Sequence, residues 1–134
     1  MTDTMRPYRV PTRVLLGLLL PALLLPIVGQ AQKLKEKMAD RAGELFDYPQ
    51  MAAIYEDMAT SGKADATTLR RLALAYRKMG QPQKAEATYL KLMGLGAQTP
   101  DDVFAYAEQL RANGKYPEAL EWYGTYATLR PEDM

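Results

Sequence analysis

Residues 69–92 read LRRLALAYRKMGQPQKAEATYLKL, and residues 102–129 read DVFAYAEQLRANGKYPEALEWYGTYATL. Set thirty-four residues apart, Ala73 falls on Ala107, Gly80 on Gly114, Ala85 on Ala119 and Tyr89 on Tyr123. The register extends backwards to Ala39, Met51 and Tyr55, and Tyr48 and Tyr116 lie two periods apart, each followed by a proline (Pro49, Pro117). An irregular Ala- and Tyr-rich bundle has no reason to keep one spacing in several independent columns. A fixed period of this length is the mark of one supersecondary unit stacked on copies of itself.

The period divides the chain into segments 32–65, 66–99 and 100–133. Local signals predict two helices in each. Thr99-Pro100-Asp101-Asp102 supplies an N-cap, a proline in the first turn and acidic residues at the positive end of the helix dipole. The helix that follows, from about Asp101 to Ala112, stops at Asn113-Gly114, and Pro117 starts another. Gly80-Gln81-Pro82 makes the same turn in the second segment and Phe46-Asp47-Tyr48-Pro49 in the first. Ala39, Ala73 and Ala107 are small enough to let paired helices approach closely, and the tyrosine column is expected to fill the space between repeats. The first segment keeps the pattern least well, as a terminal repeat with one solvated side can.

Leu72, Ala73, Tyr76, Gly80, Ala85 and Tyr89, followed by Tyr106, Ala107, Leu110, Gly114, Ala119, Tyr123 and Pro131, resemble the tetratricopeptide repeat (TPR) pattern over essentially all of residues 32–133. That resemblance implies an all-α fold, a right-handed α-solenoid of three helix-turn-helix repeats with about six helices, and a role in holding other proteins. A narrower likeness is carried by KMADRAGELFDYPQMAAIYEDMA together with the two stretches above. It is similar to the N-terminal TPR region of Bacteroidetes-type outer-membrane proteins that continue into a β-propeller and an OmpA-like domain. Those later domains have no counterpart in these 134 residues, so peptidoglycan binding does not carry over; an exported scaffold does.

Export is read from the N-terminus. Arg6, Arg9 and Arg13 are opposed only by Asp3, the fifteen residues Val14–Val28 are uncharged, and small Gly29 and Ala31 stand at −3 and −1 of a cut before Gln32. This is the layout of a secretory signal peptide over residues 1–31. Crossing a bilayer as a helix takes about 20 apolar residues, and Pro21 and Pro26 are expected to make the stretch poorly helical. The expected location is the periplasm or cell envelope, with no stable membrane insertion once the leader is removed. The alternatives are a membrane-anchored TPR element that keeps its apolar segment and a truncated piece of a longer envelope protein.

Composition excludes much chemistry. The chain has no histidine and no cysteine, so it offers no disulfide, thiol nucleophile, imidazole base or Cys/His zinc site. Its net charge of +1 gives no electrostatic case for nucleic acid. The neighbouring carboxylates Asp101-Asp102 and Glu56-Asp57 diverge by about 100° on a helix and make no catalytic dyad. The reading is of no enzyme, no cofactor and no metal.

A ligand is expected on the concave side, where the first helix of each repeat presents Arg70, Leu74, Arg77, Phe104, Glu108 and Arg111. The competing reading for the arginines is a solvated face with local ion pairs, such as Glu108 with Arg111 or Arg77. Some TPR domains grip a chain-terminal carboxylate with cations and amides; the matching positions are Glu36, Asp40, Arg71, Asp101 and Ala105, which do not make such a clamp. A protein or peptide partner is therefore expected, and a chaperone tail is not. Trp122, Tyr126 and Leu129 form a candidate apolar edge at the C-terminal end, open to a homodimer contact or to a partner.

Overall fold

The computed structural model describes residues 12–133. Six α-helices follow one another: α1 (Thr12–Glu44), α2 (Tyr48–Met58), α3 (Ala66–Lys78), α4 (Pro82–Gly94), α5 (Pro100–Ala112) and α6 (Tyr116–Leu129). A π-helical turn, Ala59–Lys63, joins α2 to α3, and a 3-10 turn, Pro131–Asp133, follows α6. No strand occurs among the described residues, and the fold is an all-α stack of helical hairpins.

The chain divides into two units, Met1–Leu34 and Lys35–Met134. In the first, the expectation of a poorly helical stretch is corrected: α1 is continuous through positions 21 and 26. A proline removes one hydrogen bond and tilts the helix locally, while the surrounding leucines and alanines are strong helix formers. Gly29 and Ala31, read as the cleavage site, also lie within α1. Arg6 and Arg9 lie outside the described residues. Among the described residues, no helix is long and apolar enough to cross a membrane.

In the second unit the turn inside each hairpin is the same object three times. Asp47 N–H bonds to Ala42 O, Gln81 N–H to Tyr76 O and Lys115 N–H to Leu110 O, at 2.8, 2.9 and 2.9 Å. Inside each of these lies a second bond, from Phe46, Gly80 and Gly114 to Gly43 O, Arg77 O and Arg111 O. This pair of bonds is the Schellman closure, and its penultimate residue takes the left-handed conformation. Gly80 and Gly114 do so at φ 66° and 75°; in the first hairpin the role falls to Phe46 at φ 60°.

Helix starts also recur. Asp65 accepts from Thr68 N–H at 2.7 Å, and Thr99, one period later, accepts from Asp102 N–H at 3.3 Å while the Asp102 carboxylate takes Thr99 N–H at 2.8 Å. The alanine column does what its size allows: Ala39, Ala73 and Ala107 are wholly buried. Two apolar clusters result. One centres on Tyr55, Met58, Leu72 and Tyr76, the other on Tyr89, Leu92, Tyr106 and Leu110. The tyrosine column is core at Tyr55 and Tyr89 but only half-buried at Tyr123.

Candidate functional site: a groove along α3

α3 presents Thr67, Arg70, Arg71, Leu74 and Arg77 to a cleft of about 370 Å³ closed on the other side by Tyr89 of α4 and by Asp101, Asp102 and Ala105 of α5. A second recess of about 270 Å³ lies towards α1, between Asp40, Gly43, Tyr48 and Met51, and shares Arg71 and Leu74 with the first. The two make one groove along α3, with Leu74 on its floor.

Its charges are not equivalent. Arg70 lays its guanidinium on Asp102, with Nε 2.8 Å from Oδ1 and Nη2 2.7 Å from Oδ2, and Nη2 also reaches Ala97 O at 3.3 Å. Asp102 is 4% exposed and receives Thr99 Oγ1 at 2.9 Å as well. Burial pushes its carboxyl up, but the bonds from Arg70 and Thr99 outweigh burial and hold it below the usual carboxylate range. The same pairing raises the Arg70 guanidinium. Arg70 is thus a strut between α3 and α5 as well as a groove residue.

Arg71 stands 3.6 Å from Asp40, whose Oδ1 accepts the Tyr55 hydroxyl at 2.9 Å. Burial first, and then that bond to Asp40, raise the Tyr55 phenol. Glu108 repeats the arrangement one period apart twice over: it accepts from the Tyr123 hydroxyl and from Arg111 Nη2 at 2.8 Å. Those bonds, that of Arg111 first, hold Glu108 below its ordinary range. The middle member of this column is Leu74, so Tyr89 finds no carboxylate there and instead accepts from Arg77 Nη1 at 3.3 Å. Arg77 forms no ion pair within 4 Å among the described residues; it lines the groove, and its charge also acts on Glu108 from farther off.

The structure therefore brings Arg70, Leu74 and Arg77 together and sets the other expected residues elsewhere. Phe104 is turned towards α6, its ring 5.7 Å from Tyr123 and 5.1 Å from Tyr126. Glu108 and Arg111 satisfy each other, as the solvated-face reading had it. Asp101 pairs with Arg130 at 3.4 Å. At the C-terminal edge, Trp122 packs edge-on to Tyr106 at 5.1 Å and Leu129 is 51% exposed. The larger exposures there belong to Tyr116 and Leu120, which sequence reasoning passed over; Leu120 is 72% exposed. The 34-residue alignment already carried the signal, because Leu120 stands where the preceding repeat has Glu86. No cluster of three potential metal ligands occurs among the described residues.

No curated protein matches the chain. Residues 68–103 match the family model described as Tetratricopeptide repeat, a span covering most of α3, all of α4 and the start of α5. The matched segment contains Arg70, Leu74 and Arg77 of the groove and the Arg70–Asp102 strut, so this part of the all-α stack of helical hairpins is similar to a tetratricopeptide repeat.

Proposed function

We propose that this chain is a non-enzymatic scaffold of the cell envelope that holds a peptide or protein segment in the groove along α3. Tetratricopeptide repeats are protein-interaction modules, and one observation carries the placement of the site. Among the described residues Arg77 has no carboxylate in contact with it, and it stands beside an apolar floor of Leu74, Ala105 and Tyr89. A segment carrying a carboxylate next to an apolar side chain supplies what this arrangement lacks. The envelope setting, with an outer-membrane or secretion assembly as the larger partner, rests on the leader-like residues 1–31 and on the likeness to Bacteroidetes-type outer-membrane proteins. The alternative keeps the N-terminal segment on the exported chain, although no described helix is long and apolar enough to cross a membrane. Intact mass of the exported chain separates the two.

The binding site is tested by cross-linked recovery from native envelopes with the wild-type chain and Arg77→Glu. Arg77 is chosen over Arg70 because its removal breaks no ion pair. Recovery of an envelope component that Arg77→Glu loses, with helix content unchanged, supports the reading. Equal recovery by both proteins removes the groove from it.

A further inference from the structure

The contacts between successive hairpins recur in register, and the register identifies what fits the two outer faces of the stack. Ala52 of α2 and Met79, just past α3, share the first apolar cluster. One period later, Asn113 Nδ2 donates to Glu86 Oε2 at 2.6 Å, and Lys115 closes on Glu86 Oε1 at the same distance. The column Ala52, Glu86 continues to Leu120. Read backwards, the column Asn113, Met79 leads to Leu45. Both are leucines left in water, 72% and 62% exposed.

The receiving surface shows the same displacement. Leu72 on α3 shares its cluster with Tyr55 and Met58 of α2, and Tyr106 on α5 shares its cluster with Tyr89 and Leu92 of α4 as well as with Trp122 of its own hairpin; they are 5% and 6% exposed. Their counterpart on α1 is Met38, 52% exposed beside a recess of about 390 Å³ lined by Lys37, Met38, Arg41, Ala42, Leu45 and Gln50. On the giving side, Met58 and Leu92 are 2% and 0% exposed between hairpins, whereas Tyr126, next in that column, is half-buried.

We propose that a second copy of this chain covers these faces head to tail. α6 of one molecule takes, on α1 of the next, the place that α2 takes on α3 and α4 on α5, and Leu120 meets the neighbour's Leu45. A two-fold α6–α6 dimer cannot make this contact, because the two columns that meet are different ones. A heterologous contact does not close on itself at two members, so it gives a concentration-dependent series.

The absence of cysteine makes the test direct. Leu45→Cys and Leu120→Cys, both at exposed sites, are prepared in the full chain, mixed and oxidised or bridged with a short bis-maleimide. The expected result is a covalent dimer joining position 45 to position 120 in the mixture and little with either variant alone. The double variant gives a ladder of higher species. Adding Met38→Glu is expected to abolish the 45–120 product with helix content unchanged. A Leu120→Cys homodimer as the main product overturns the proposal in favour of a two-fold α6 contact. Equal cross-linking in every combination overturns it in favour of association through the apolar N-terminus. No product at any concentration shows that the faces do not meet.

Discussion

Replacing Arg70 by alanine tests whether the groove is held open by the Arg70–Asp102 strut. The substitution removes four hydrogen bonds, three of them charge-assisted bonds to Asp102 at 2.8, 3.0 and 2.7 Å, and leaves Asp102 almost completely buried with only Thr99 as donor. Breaking a fully buried pair costs about 3–5 kcal/mol. The figure is smaller here, because the Arg70 side chain is 36% exposed and the capping bonds of Thr99 remain. We expect a loss of about 2 kcal/mol at pH 7, which for a domain of this size lowers Tm by roughly 10 °C. Arg70→Lys, a point charge without the two-pronged geometry, should lose about half as much.

The pH dependence gives the sharper readout. The Asp102 carboxyl sits below its unfolded-state pKa, so the pair stabilises the fold above about pH 4, and that stability is lost as pH falls through the folded value. In Arg70→Ala the cation is gone and ionisation of Asp102 no longer favours the folded state. The gap between wild type and variant should therefore be full at pH 7 and close below about pH 4. Urea unfolding followed by circular dichroism at pH 7, 5 and 3 measures it. A gap below about 0.5 kcal/mol at pH 7, or one that persists undiminished at pH 3, refutes the strut.

Phe46→Gly should raise stability by about 0.5–1 kcal/mol, seen as a higher urea midpoint, since it relieves a left-handed non-glycine residue; the lost edge contact with Tyr48, at 6.3 Å, offsets part of the gain. Leu92→Ala empties a fully buried site between hairpins and should cost about 2–5 kcal/mol in the same assay. Leu95→Ala, three residues on and 52% exposed, should stay within about 0.5 kcal/mol.

The legible part of this chain is the part that repeats. Glycine or proline at a turn and alanine at a close approach are each dictated by the backbone at one position, so the same residue returns every thirty-four and can be read without coordinates. Phe46 shows the limit of that logic: the same Schellman turn forms without its glycine, because the other columns of the hairpin already fix the geometry. The groove was legible in outline, since Arg70, Leu74 and Arg77 share a face by spacing alone. What spacing could not show is which arginine is spent. Arg70 and Asp102 belong to different repeats and meet only because α3 and α5 stand side by side.

The proposed function rests on the columns that fail to repeat. Asp40 and Glu108 both take a tyrosine hydroxyl, and a carboxylate between them at position 74 would have neutralised Arg77 and closed the groove to anions. Leu74 instead leaves one cation unpaired over an apolar floor. The same reasoning applies at position 120, where leucine replaces the glutamate that ties α4 to the next turn. A polar residue there would leave the α6 face at ease in water; a leucine does not. Departures from a repeat that preserve its fold while removing a partner are where we propose that the chain meets something outside its own stack: the cation at Arg77 and the exposed leucines at 45 and 120.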